Sequence, residues 1–202
     1  MDKTYNDLPG FDKARLERLM HYNRKIQEHA DASGRVDIIC SHYAVFIGII
    51  ESSVDGLVFL IEDEKINARR AEKLALGVRV QTSGHSDPTG NTVAGEDEIR
   101  RAIIECDFSG GVLEESSRRN EFIKEAYLLD DMRRHYFLFN KQLSRLSNKE
   151  KSYFVPYLKG NKGYIDMANE LGVEVDTAVQ MVHRTKMKIK SQMVSYLEGK
   201  IA

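Results

Sequence analysis

Tryptophan is absent and only 3 prolines and 2 cysteines occur in 202 residues. Few prolines leave long stretches free to form helix. The two thiols, Cys40 and Cys106, cannot build a disulfide framework, so a reducing compartment is expected. Long apolar runs are missing too. The longest, Tyr43 to Ile50, is far too short to span a bilayer, and the N-terminal Met-Asp-Lys-Thr-Tyr carries no signal-peptide core. A chain that is neither secreted nor membrane-inserted, working in the cytoplasm, is the expectation. What is present is charge, at 30% of residues, with 42% hydrophobic residues and abundant Leu, Ala, Glu and Lys. This mixture favours a folded, all-α chain with long helices in its N-terminal part.

Catalytic and metal-binding patterns are equally sparse. His85-Ser86-Asp87 are adjacent and cannot adopt nucleophile–base–orienter geometry. Cys40-Ser41-His42 has no second ligand pair at zinc spacing, and His21 and His29 lack ligand neighbours. Gly84, Gly90 and Gly95 are not followed by the Lys-Ser/Thr of a phosphate-cradling loop. No enzyme, metal site or cofactor is expected.

Charge is unevenly distributed. Residues 141–202 contain 11 basic and 6 acidic side chains, whereas 1–140 contain 19 and 25. Ala178 to Ser195 holds Arg184, Lys186, Lys188 and Lys190 with no acid. Such a run is either a solvated helix face or a surface that meets phosphate.

Periodicity organises the rest. Residues 11–30 predict an amphipathic helix ended by Ser33-Gly34, and 36–50 predict buried helix with a strand as the alternative. A spacing of 3 and 4 links Val54, Leu57, Ile61, Ala68, Ala71, Ala75 and Val78, with Glu64 as its single polar member and Gly77 at its end. Residues 81–95, rich in Gly, Ser, Thr and Asn, predict a loop, with helix resuming at Glu96 and breaking at Gly110-Gly111. A second register joins Phe122, Leu129, Met132, Tyr136, Phe139, Leu143 and Leu146. Either register suits an intramolecular helix pair or a dimer seam.

Residues 147–190 are the most informative. Ser147 and Glu150 form a capping-box pattern before a helix bearing Tyr153, Phe154, Tyr157 and Leu158. Pro156 within it predicts a kink or a later start. After Lys159-Gly160-Asn161-Lys162-Gly163, a short helix burying Met167, Ala168 and Leu171 leads through Gly172 to a third, from about Val175 to Lys190. That third helix would bury Ala178, Val182, Thr185 and Ile189. Asp176, Gln180, His183 and Met187 would then point outward, flanked by Thr177, Arg184 and Lys190. Small Ala168 at a helix crossing and a permissive Gly172 at the turn are what a helix-turn-helix requires. Its outer face would enter a major groove.

Tyr164-Ile165-Asp166-Met167-Ala168-Asn169-Glu170-Leu171-Gly172-Val173 resembles the first helix and turn of sigma-factor region four. Val175 to Met181 falls where that family reads bases. Asp176 and Gln180 fit the family pattern, while Val175, Thr177 and Val179 stand where it carries arginines. Together with Ala71 to Leu76 and Val80 to Asn91, this motif resembles phage and prophage regulators of the ArpU/RinA type over residues 54–190. The resemblance implies an activator of late phage genes in a Gram-positive host.

The expected partition is a helical, self-associating region over 1–146 and a sigma-like helix-turn-helix over 147–198. The expected partner is double-stranded DNA, with RNA polymerase as a further contact and a homo-oligomer as the working form. Candidate DNA contacts are Asp176, Thr177, Gln180, His183, Arg184, Lys186, Lys188 and Lys190, with Lys162 ahead of the motif. Arg184 suits a guanine edge or a phosphate, Gln180 adenine, and Asp176 a cytosine amino group or the helix N-terminus. Tyr164 either touches the DNA backbone or packs locally. The alternative function is a protein-binding adaptor that contacts polymerase or another regulator without reading DNA.

Overall fold

The computed structural model describes residues 31–75, 88–114 and 116–199. Among them are seven helices and no strand: α1 Ala32–His42, α2 Phe46–Ala75, α3 Pro88–Glu105, α4 Arg119–Ser144, α5 Asn148–Leu158, α6 Tyr164–Leu171 and α7 Val175–Leu197. The chain is all-α, as composition and periodicity predict. None of these helices is by itself long and apolar enough to cross a membrane.

The contacts divide the chain into two compact units, and the boundary expected at 146/147 is not where they divide it. One unit includes Ser53–Ala126; the other combines Ala30–Ser52 with Tyr127–Ala202. The reason is that the motif's helices bury their apolar faces partly against α1, which lies far from them in sequence.

In the unit containing Ser53–Ala126, α2 buries Val54, Leu57 and Ile61, and α3 buries Ile99, Ala102 and Ile103. Phe108, Val112, Leu113, Phe122 and Ala126 complete this core. Beyond Ile61 the register leaves the core: Ala68 is half-buried and Ala71 exposed. Glu64, the register's polar member, accepts hydrogen bonds from the Ser117 amide at 2.8 Å, the Ser117 hydroxyl at 2.9 Å and the Ser116 hydroxyl at 3.0 Å. It also accepts from the Arg118 amide. Donors just ahead of α4, which a helix start leaves without intrahelical partners, are thereby satisfied. Burial works to raise the Glu64 carboxyl pKa, but the hydrogen bonds from Ser117, Ser116 and Arg118 prevail and hold it below the ordinary value.

Several expected boundaries move. The helix predicted over 11–30 and Gly77 lie outside the described residues, but Ser33 and Gly34 fall inside α1 rather than ending a helix. Asp31 caps that helix, its carboxylate accepting from the Gly34 amide at 2.6 Å. The stretch 36–50 is helical on both sides of a break at 43–45. Of the predicted loop 81–95, residues 81–87 are outside the described residues, and the remainder is helix: α3 starts at Pro88, not Glu96. Proline at the first helical position has no amide to lose, and its fixed φ suits the first turn. Gly90 and Gly95 each cost about 1 kcal/mol relative to Ala, offset by the burial of Ile99, Ala102 and Ile103 farther along α3. That helix ends at Glu105, ahead of Gly110-Gly111, because Cys106 takes a left-handed φ of 51°.

In the other unit, α1 packs on α7 and α5, and α7 also packs on α5 and α6. The second register is buried at Leu129, Met132, Phe139, Leu143 and Leu146, with Tyr136 half-buried. Tyr136 stacks on Phe46 with ring centroids 5.3 Å apart. The Tyr43 hydroxyl donates to Asn140 Oδ1 at 2.8 Å, tying the α1–α2 corner to α4. Ser147 caps α5 in a full capping box with Glu150. The helix starts at Asn148 despite Pro156, which sits in the last turn and there interrupts only one intrahelical bond.

Candidate nucleic-acid interface

The segment 164–197 comprises a short helix, a tight turn and a long helix. α6 ends at Gly172 with φ of 65°, a left-handed conformation that glycine enters without steric cost. The amides of Gly172 and Val173 both bond the Ala168 carbonyl, which closes the turn. Met167 and Ala168 are buried at the crossing, and Leu171 is half-buried rather than buried.

α7 turns inward the side that its periodicity predicts: Ala178, Val182, Thr185 and Ile189 are buried, and the helix runs on past Lys190 to bury Met193 as well. Thr185, polar in that stripe, is satisfied. Its hydroxyl donates to the Met181 carbonyl at 3.0 Å and therefore accepts from the Tyr153 hydroxyl, 2.7 Å away.

Asp176, Thr177, Gln180, His183 and Arg184 are all exposed on the opposite side, within the first ten residues of α7. Arg184 is exposed and makes no ion pair with any described residue. Asp176 lies in the first turn, where its charge suits the helix dipole. Glu174 occupies the N-cap position without a side-chain cap bond.

The lysines lie elsewhere. Lys186 and Lys190 are half-buried and turned toward α1, where Asp37 pairs with the first at 2.8 Å and the second at 2.6 Å. Burial alone would raise the Asp37 pKa, but these two lysines outweigh it and hold the carboxyl below its ordinary value. Lys188 is exposed and paired with Glu150 at 2.9 Å. The Lys188 hydrogen bond, with the Ser147 cap, brings the Glu150 carboxyl pKa down to about 2. Lys162 pairs with Glu170 at 2.6 Å, on the flank of α6. Tyr164 packs locally, its hydroxyl 2.8 Å from that of Tyr157 and the rings 5.2 Å apart.

Five of the nine sequence candidates thus share one open surface, and four lysines are held by carboxylates. Spacing does not show that Asp37, Glu150 and Glu170 hold those lysines, and Glu170 is visible only as part of the motif. Glu150 was visible as the second half of a capping box; Asp37 carried no signal, being one acid in an apolar stretch. Cys40, one turn beyond Asp37, has its thiol pKa pushed up to about 12, chiefly by burial, which disfavours the reactive thiolate. Among the described residues no three His, Cys, Asp or Glu side chains converge as a metal site needs.

No known protein family, curated protein or solved structure matches the chain.

Proposed function

We propose that this protein is a DNA-binding transcriptional regulator whose reader is a helix-turn-helix formed by α6 and α7. The observation that carries the reading is the two-sided character of α7. Its inward stripe is fully apolar or satisfied, and Asp176, Thr177, Gln180, His183 and Arg184 are exposed along the opposite side. Each of those outer side chains except His183 has a direct base-edge or phosphate pairing open to it. The left-handed Gly172 and small Ala168 support the same reading, since helix-turn-helix readers need a tight turn and a close crossing. The resemblance of residues 164–173 to sigma-factor region four, and of 54–190 to ArpU/RinA-type regulators, supports activation of late phage or prophage genes as the specific role.

One helix offers few base contacts, so binding requires two copies on paired half-sites or a further contact with RNA polymerase. The test is selection of host and phage DNA fragments by the full chain, then titration of a selected fragment with Arg184→Ala. We expect retained fragments and about tenfold weaker binding for the variant, with a shallower salt dependence. Failure to retain any DNA at low salt overturns the reading.

A specific observation favours a second reading. Lys162, Lys186, Lys188 and Lys190 are already paired with carboxylates, which withdraws four cations from phosphate contact. In that reading the chain is an adaptor for polymerase or another regulator. It then keeps a protein partner after nuclease treatment and shows no salt-sensitive DNA binding.

A further inference from the structure

The open side of α7 carries a selective set of recognition chemistries. Val179 is 38% exposed and Met187 46% exposed, although neither belongs to the inward stripe. Gln180 adjoins Val179, and Thr177 lies on the other flank with its own methyl group. From Val175 to Arg184 the helix rises about 14 Å, comparable to the width of a major groove. Side chains in those first turns are the ones placed to meet base edges.

Each base pair offers these side chains something different. Thymine presents a methyl group that apolar side chains contact; adenine presents the N6/N7 pair that a glutamine amide matches; guanine asks for Arg or Lys. Of the four cations on α7, Lys186, Lys188 and Lys190 are held by Asp37 and Glu150. Arg184 alone is left to read guanine, and it lies a full turn beyond Gln180. The acids Glu174 and Asp176 at the start of α7 provide no guanine contact either, and the one base partner open to Asp176, a cytosine amino group, lies a turn ahead of Gln180.

Building on the DNA-reading function above, we propose that α7 recognises a half-site whose centre is A·T-rich. Val179 lies against a thymine methyl and Gln180 bonds the adjacent adenine, while Arg184 confines any guanine to one edge of the half-site and Asp176 confines any cytosine contact to the other.

The test uses the full chain and the fragments it selects. The selected half-sites should have A·T pairs at the centre. Replacing their thymines by uracil removes only the methyl groups, and should weaken binding about fourfold per contacted methyl. Val179→Ala should narrow the difference between the thymine and uracil versions, and Gln180→Ala should lose about tenfold in preference for the central adenine. Selected sites with G·C centres, or indifference of the unaltered chain to uracil, overturn this inference and leave DNA reading intact. Retention of no DNA at all overturns both.

Discussion

Asp37 accepts a hydrogen bond from Lys190 at 2.6 Å across 153 positions of sequence. The same carboxylate holds Lys186 through its other oxygen at 2.8 Å. One acid on α1 therefore fixes two of the cations on the longest helix of the motif. The arrangement sets α1 against α7 and decides which charges of α7 remain free.

Asp37→Asn removes that restraint. The pair is partly exposed, so the loss of stability should be small, about 1 kcal/mol or less. On the proposed function, DNA binding should tighten, and its salt dependence should steepen by up to about 1.8 in log–log slope as two lysines become available to phosphates. Anisotropy titrations over a range of salt concentrations measure both quantities. An unchanged slope would place Lys186 and Lys190 away from the DNA backbone.

Glu64→Ala deletes the acceptor for the Ser117 and Arg118 amides and for the two serine hydroxyls. The Arg118 amide keeps the Ser116 hydroxyl at 3.1 Å and the exposed Ser117 donors can turn to water, so loss of the cap should cost about 1 kcal/mol. A urea titration that follows the unit containing Ser53–Ala126 reads this directly. A change within a few tenths of a kcal/mol would make the contact incidental.

Gly172→Ala tests the turn. A Cβ at this position meets nothing within 4 Å, so the substitution carries no steric clash, only the penalty of a left-handed φ. The expected cost is about 1–2 kcal/mol, with Gly172→Asn milder because asparagine tolerates that conformation. Thermal denaturation of the two variants distinguishes backbone strain from packing.

The Glu150 carboxyl has its pKa lowered to about 2 from an ordinary 4.5 by Lys188 and the Ser147 cap. A depressed carboxyl contributes its full stability above the unfolded value and loses it as pH falls through the folded one. Stability should therefore drain between about pH 4.5 and pH 2. Glu150→Gln keeps the capping-box pattern but gives up the charge pairing, at about 0.5–1 kcal/mol near neutrality. Urea midpoints of the variant should fall less than those of the unaltered chain between pH 7 and pH 3; parallel curves would contradict the assignment.

Local chemistry was legible in the sequence, and distant pairing was not. The inward side of α7 follows from spacing alone, because Ala178, Val182, Thr185 and Ile189 recur at helical intervals. The Ser147–Glu150 cap and the Gly172 turn are likewise short-range signals. Glu64 stood out as a polar member of an apolar register, but its partners, Ser116 to Arg118, lie more than fifty residues away. Lys186 and Lys190 looked like free cations because nothing near them in sequence is acidic; Asp37 reaches them only through the packing of α1. Pro88 misled in the opposite direction, since a turn-forming residue within a glycine-rich stretch also makes a good first helical residue.

The unit that holds α7 is drawn from two separated stretches, Ala30–Ser52 and Tyr127–Ala202. On a ribosome, α1 emerges with its hydrophobic side unmatched until α5 and α7 follow, the last residue of α7 lying 145 positions after Ser52, a delay of roughly 7–29 s at typical elongation rates. During that interval Val36 and Ile39 lack the helices that later cover them, and a nascent chain stalled before α7 would present them to chaperones.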